Sequence, residues 1–265
     1  MTIVVASAAP DGIVLASDSR TTQRRGDHHR VASNAAQKVY DAWGRIGLAA
    51  YGIATIGSDS IRSVINGWLA EADQTAALGD AAKSLAGYLQ ARLSDATPAP
   101  RGKILLDPVW PLGVLVAGYD EVGVGRVLEV RVWPLQSKVV DTDAATDKPS
   151  SMWRGQTGAV RRLVLGFDED EMKKVGVAIT EQMEEPLSTI AYDLIQPTTL
   201  QDAVDLAYFA IDTTVQMQRF SDGTFASQKA IPGCGGPTQC LAVTPAGVRW
   251  VHELTLLPPA RVPEL

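Results

Sequence analysis

Cysteine is nearly absent: the 265 residues hold only Cys234 and Cys240, both in a Gly-rich stretch. Two thiols cannot build the disulfide framework of a small secreted fold, and no four-ligand metal pattern accompanies them. They are expected to be reduced thiols in a cytoplasmic chain that takes no cofactor and no metal. Positive charge is also in deficit, with 24 Lys and Arg against 30 Asp and Glu and a formal net charge of −6. That balance argues against nucleic acid as the main partner. No apolar run reaches the roughly 18–20 residues of a membrane span, and no secretory signal precedes residue 2. Histidine is scarce, and the adjacent pair His28-His29 does not make a metal site. No convincing histidine partner is visible that would make Cys234 a nucleophile.

Other motifs are excluded by context. Gly123-x-Gly125 lies between two strand-like runs and lacks the strand-to-helix setting of a phosphate loop. Asp141, Asp143 and Asp147 are spaced loosely, without the glycine and bidentate glutamate of a calcium loop.

What is present begins at the first two residues. Removal of Met1, which a small following residue permits, would give Thr2 a free α-amine beside its hydroxyl. That amine has an unperturbed pKa near ~7.7–8.0, so a neutral fraction is available as a base at physiological pH. A threonine served by its own amine is one way to make a weak hydroxyl nucleophilic.

The next segments look placed to serve that threonine. Residues 2–7 read as a strand, Pro10-Asp11-Gly12 as a turn and residues 13–17 as the returning strand, which brings Asp18-Ser19-Arg20 level with Thr2. A second hairpin starts at Lys38, turns at Gly44-Arg45 and ends at Gly52. An acid, a lysine and a backbone amide can therefore converge on one chain terminus.

These residues resemble a proteasome β-subunit-type member of the N-terminal nucleophile (Ntn) hydrolases, as in a bacterial proteasome-like protein. The likeness lies in Thr2, the run Gly12 to Arg20, Lys38-Val39-Tyr40 and Ala49-Ala50-Tyr51-Gly52, with a weaker echo in Pro232 to Gly236. Between Arg20 and Lys38 the chain is a few residues longer than usual, and this inserted basic stretch, which holds His28-His29, reads as a loop. The resemblance implies an α+β, four-layer αββα sandwich with two antiparallel sheets between helix layers, in one domain spanning residues 1–265. It implies Thr2 as nucleophile, Lys38 as the ammonium beside it, Asp18 as the partner of Lys38, and the Gly52 N–H as oxyanion donor. The main chain at Arg20 would help orient the site, and Thr157, in the Gly155–Gly158 stretch, would add a supporting hydroxyl. An extended substrate would pair with the segments around Thr22 and Gly52, its side chain entering a pocket of Thr21, Ala36, Ala50 and Ala54. Those small residues predict a preference for large apolar side chains before the scissile bond. The family's aspartate before its closing glycine turn has no match at Ala230-Ile231-Pro232; Asp222 is a candidate replacement.

The implied activity is that of a threonine-type endopeptidase in a homo-oligomeric ring, acting on peptides or unfolded proteins. A non-catalytic ring or scaffold subunit, a small-molecule amidase and a peptide ligase remain open.

The remaining sequence completes the expected layers. Apolar residues from Ile61 to Leu93 recur at helical spacing and predict two helices broken around residues 76–79. Residues 95–108 read as a Pro-containing loop, 110–119 and 126–133 as strands, 137–157 as an exposed loop, and 168–171 as a solvated helix start. Thr198-Thr199 opens a helix running towards Phe220, and two strands around residues 239–243 and 248–251 close the chain.

Overall fold

The structure is a computed structural model, which describes residues 2–25, 28–96, 112–189, 191–192, 196–220 and 231–254. In chain order the first strands are β1 (Ile3–Ala9), β2 (Gly12–Ser17), β3 (Thr21–Arg25), β4 (His28–Ser33), β5 (Val39–Ala42), β6 (Ile46–Gly52), β7 (Thr55–Ile56) and β8 (Asp59–Ser60). Helices α1 (Ile61–Glu71) and α2 (Leu78–Ala96) follow, then β9 (Leu112–Tyr119), β10 (Gly125–Trp133), β11 (Gln136–Ala145) and β12 (Ser150–Gly155). Helices α3 (Gly158–Leu165), α4 (Glu169–Lys174), α5 (Glu181–Ser188) and α6 (Leu200–Phe220) precede the closing hairpin of β13 (Gln239–Thr244) and β14 (Gly247–His252).

Ten of these strands form two five-stranded antiparallel sheets, ordered β12-β1-β2-β13-β14 and β11-β10-β9-β6-β5. The near-continuous apolar runs of β1, β2 and β9 follow from burial on both faces, which removes any need for polar alternation. Val4, Ala6, Ile13 and Leu15 of the first sheet meet Val39, Ala49, Leu115 and Val127 of the second in the central layer. Ile65, Trp68, Leu85 and Leu89 of α1 and α2 cover the outer face of the second sheet. Val160 of α3 with Ala207 and Ile211 of α6 covers the first. The result is the expected four-layer αββα sandwich. No helix among the described residues is long and apolar enough to cross a membrane.

Helix α6 starts where its cap chemistry places it. The Thr199 hydroxyl accepts from the Asp202 N–H at 3.2 Å, while Asp202 Oδ2 accepts from the Thr199 N–H at 2.9 Å. This reciprocal box satisfies two donors that a helix start otherwise leaves unpaired.

Three expectations are corrected. Residues 137–157 are not a loop; they contain most of β11 and all of β12, the edge strands of the two sheets. An edge strand is paired on one side only and carries polar and charged residues towards water, so Asp141 and Asp143 masked the strand pattern. The inserted basic stretch after Arg20 is also not a loop, because β3 and β4 pair as a hairpin outside both sheets. Asp168 is not solvated: it is buried, with Arg161 Nη1 at 3.9 Å from its carboxylate, and only the rest of the acidic run enters α4. Most of the expected 95–108 loop, and Asp222, lie outside the described residues.

Candidate active site at Thr2

Thr2 stands just before β1 and is buried. Its carbonyl accepts the Gln156 N–H at 2.8 Å, so the end of the edge strand β12 holds the start of the chain. The adjoining Gly155 has φ +87°, and a Cβ there would collide with the Thr2 carbonyl oxygen. Glycine is needed on both counts.

The β1–β2 hairpin delivers Asp18 to the same level, and it is completely buried. Its Oδ1 accepts from the Ile3 N–H at 3.2 Å and from Lys38 Nζ at 2.7 Å. Its Oδ2 accepts from the N–H groups of Arg20, at 3.1 Å, and Gly235, at 2.9 Å. Lys38 precedes β5, is buried, and donates again from Nζ to the Arg20 carbonyl at 2.6 Å. Burial pulls the Lys38 pKa below the ordinary lysine value, and the Asp18 carboxylate opposes that pull. Two acceptors thus fix the ammonium and leave one N–H for a third partner.

Thr2, Lys38 and Gly52 line one cavity of about 630 Å³, together with Thr21, Thr22, Ala36, Ala50 and Ala54. Gly52 closes β6 on the cavity wall with φ +102°, a backbone conformation that a side chain would strain. Arg20 contributes its main chain to Asp18 and Lys38, while its Nε donates to Asn34 Oδ1 at 2.8 Å and its Nη1 to the Pro232 carbonyl at 3.2 Å. Thr157 is not brought to this cavity. It is the N-cap residue of α3, and its neighbour Gln156 makes the bond to Thr2.

Two buried glutamines and one glutamate were missed. Gln239 Oε1 accepts from the N–H groups of Lys38, at 3.0 Å, and Val39, at 3.3 Å, and its Nε2 donates to the Ala36 carbonyl at 2.7 Å. It fastens the lysine segment to β13. Gln218 Oε1 accepts the N–H groups of Gly233 and Cys234, each at 2.8 Å, and so holds the turn whose Gly235 serves Asp18. The available signal was spacing: Gln218 occupies the core-facing row of Ala207, Ile211 and Thr214, where an apolar residue is the default. Cys234 packs in that same core, and burial pushes its thiol well above the ordinary value, which leaves it a poor nucleophile.

Glu129 of β10 is the third. It is completely buried, paired with Arg154 Nε at 2.7 Å and with Arg131 Nη2 at 2.6 Å, and it accepts the Tyr51 hydroxyl. Tyr51 lines the cavity beside Gly52, and Arg154 precedes the Gly155-Gln156 clamp on Thr2. Burial alone would raise the Glu129 pKa, but the hydrogen bonds from Arg154, Arg131 and Tyr51 prevail and hold it below the usual glutamate value.

Gln218→Leu is expected to cost about 2–4 kcal/mol in urea unfolding, because two buried N–H groups lose their acceptor. Gln218→Glu retains an acceptor and should lose less. Equal stability of the leucine variant and the wild type would show that the turn finds other partners.

The fold is consistent with the Ntn-hydrolase-like sandwiches, and Thr2 stands at the open end of the β1–β2 hairpin. Among solved structures it is similar to the Gly-1 mutant of Anbu from Hyphomicrobium sp. strain MC1, at TM-score 0.55 and 16% identity over 95% of this chain and 86% of that one. It is also similar to Anbu, described as an ancestral beta-subunit, from Yersinia bercovieri, at TM-score 0.52 and 13% identity over 95% and 87% of the two chains. No family model and no curated protein matches the sequence.

Proposed function

We propose that this chain is a proteasome-β-like subunit that assembles with copies of itself. The likeness in fold to a protein described as an ancestral beta-subunit supports this reading. That description speaks to a subunit of an assembly, and so bears on this reading more directly than on peptidase chemistry. Sedimentation velocity tests the assembly: discrete species several times the monomer mass are expected, and a strictly monomeric protein across the micromolar range overturns it.

A second reading, amide hydrolysis at Thr2, is favoured by one observation. Lys38 is buried at the wall of the Thr2 cavity, with its ammonium anchored to Asp18 and the Arg20 carbonyl. A scaffold has no physical need for a buried cation held in that way. After loss of Met1, the Thr2 amine accepts the hydroxyl proton and Oγ1 bonds to the substrate carbonyl carbon. The carbonyl oxygen becomes an oxyanion facing the Gly52 N–H, where a lost donor typically costs on the order of 10²–10³ in rate. The proton held by the amine passes to the leaving nitrogen as the C–N bond breaks, giving an ester on Thr2. The amine then deprotonates water, which attacks that ester and regenerates the hydroxyl. Intact-mass analysis with a hydroxyl-directed electrophile tests it: a chain lacking Met1 and carrying one adduct at Thr2 supports turnover chemistry, and an unlabelled chain supports the scaffold.

A further inference from the structure

We propose that the Thr2 cavity selects an acidic side chain, Glu or Asp, at the peptide position nearest Thr2, and that Arg62 makes the selection. The inference rests on the cavity being a peptide site, though not on its being catalytic. Lys38 and Arg62 are the charged residues in the cavity lining, and no carboxylate is among the described residues there. The Lys38 charge is already matched by Asp18, which leaves the guanidinium of Arg62 as the cation offered to an occupant. Arg62 lies in the first turn of α1 and is exposed, and its charge reaches the Tyr40 hydroxyl inside the cavity wall. That hydroxyl donates to the Gln37 carbonyl at 2.7 Å, and both residues line the space.

The β3–β4 hairpin carries a cation of the same sign. Arg30 of β4 donates to Gln23 Oε1 at 3.2 Å from Nε and 2.7 Å from Nη2, which sets a second guanidinium against a lining residue. Asp41 and Asp59 adjoin lining residues in sequence, but Asp41 Oδ1 accepts the Gly44 N–H at 2.8 Å and Asp59 is exposed and acts on Arg92 of α2; Glu253 lines a separate, smaller cavity that Arg62 also borders. Thr21, Ala36, Ala50 and Ala54 supply room but no charge. Counted alone, those four gave the expectation of a large apolar side chain; Arg62 enters from a helix that the pattern did not connect to them. A carboxylate in this space gains charge-assisted hydrogen bonds, a leucine gains none, and a lysine meets the like charge of Arg62.

Product peptides test this without chemistry. The acids Ac-Ala-Ala-Glu, Ac-Ala-Ala-Leu and Ac-Ala-Ala-Lys share a terminal carboxylate and differ only in the selecting side chain. By calorimetry the glutamate peptide is expected to bind about tenfold tighter than the leucine peptide, the scale of one hydrogen bond to a charged group. Arg62→Ala should erase that advantage, and Arg62→Glu should turn it towards lysine. Equal or tighter binding of the leucine or lysine peptide, an advantage that survives Arg62→Ala, or no binding of any peptide overturns the proposal. Failure of Thr2 to take up an electrophile is a separate result that bears on hydrolysis alone.

Discussion

Thr2→Ala should abolish electrophile labelling and any amide hydrolysis while leaving the unfolding midpoint within a few tenths of a unit of denaturant. The substitution removes Oγ1 and the Cγ2 methyl but keeps the carbonyl that accepts from Gln156, so the clamp on the chain start survives. Lys38→Met is a harsher change, because it leaves the fully buried Asp18 carboxylate with only backbone donors. Breaking a buried pair from one side typically costs about 3–5 kcal/mol. The informative variant is therefore Lys38→Met with Asp18→Asn, which removes both charges together. Its labelling rate is expected to fall by about 10²–10⁴, the usual range for a group that assists proton transfer. The pH profile carries a further sign. Labelling should rise as the terminal amine loses its proton near ~7.7–8.0. It should fall again as Lys38 does, below the ordinary lysine value of 10.5, because burial lowers its pKa. A rate unchanged in the double variant, or a profile without the alkaline fall, would remove Lys38 from the chemistry.

Glu129→Ala should cost about 3 kcal/mol of stability, the low end of the range for an orphaned buried ion pair. The low end applies because the Arg131 and Arg154 side chains are 25% and 31% exposed, so water carries part of the released charge. The wild type adds a pH signature. The folded carboxyl sits below the ordinary glutamate value of about 4.3, so its contribution is complete above that value. It is lost as pH falls from there through the folded pKa. Glu129→Gln, with nothing to titrate, should show a flatter loss of urea stability between neutral pH and about pH 3. Parallel acid curves for the two proteins would show that Glu129 carries none of the effect.

Much of the sandwich was legible because its inner strands are continuous apolar runs separated by turn residues. The hairpins around Pro10 and Gly44 and the helices α1, α2 and α6 sit close to where spacing put them. Edge strands were not legible. β12 acquires its form from β1, a partner more distant than local pattern can report, while β11 pairs with its neighbour β10 but carries Asp141 and Asp143, which read as loop. The same reason hid Gln218, Gln239 and Glu129. Each is a polar residue at a buried position, and its partners lie up to 16, up to 203 and up to 78 residues away. The lysine, its aspartate and the threonine were found because the hairpin turns alone bring them level. Arg62 was not, because it belongs to a helix two short strands beyond Gly52.

The β3–β4 hairpin belongs to neither large sheet, yet Thr21, Thr22, Gln23 and Ala32 form one wall of the cavity. Its base is pinned to the sandwich by Ser19 Oγ and Arg20 Nε, both donating to Asn34. Beyond that base its ladder is its own. The cavity is thus made from two independent materials. A rigid one fixes where bonds can be made or broken and presents Arg62 from α1, and a detachable one closes the remaining wall. Length and charge in the detachable part can drift through evolution with no cost to the hydrogen bonds that hold Lys38.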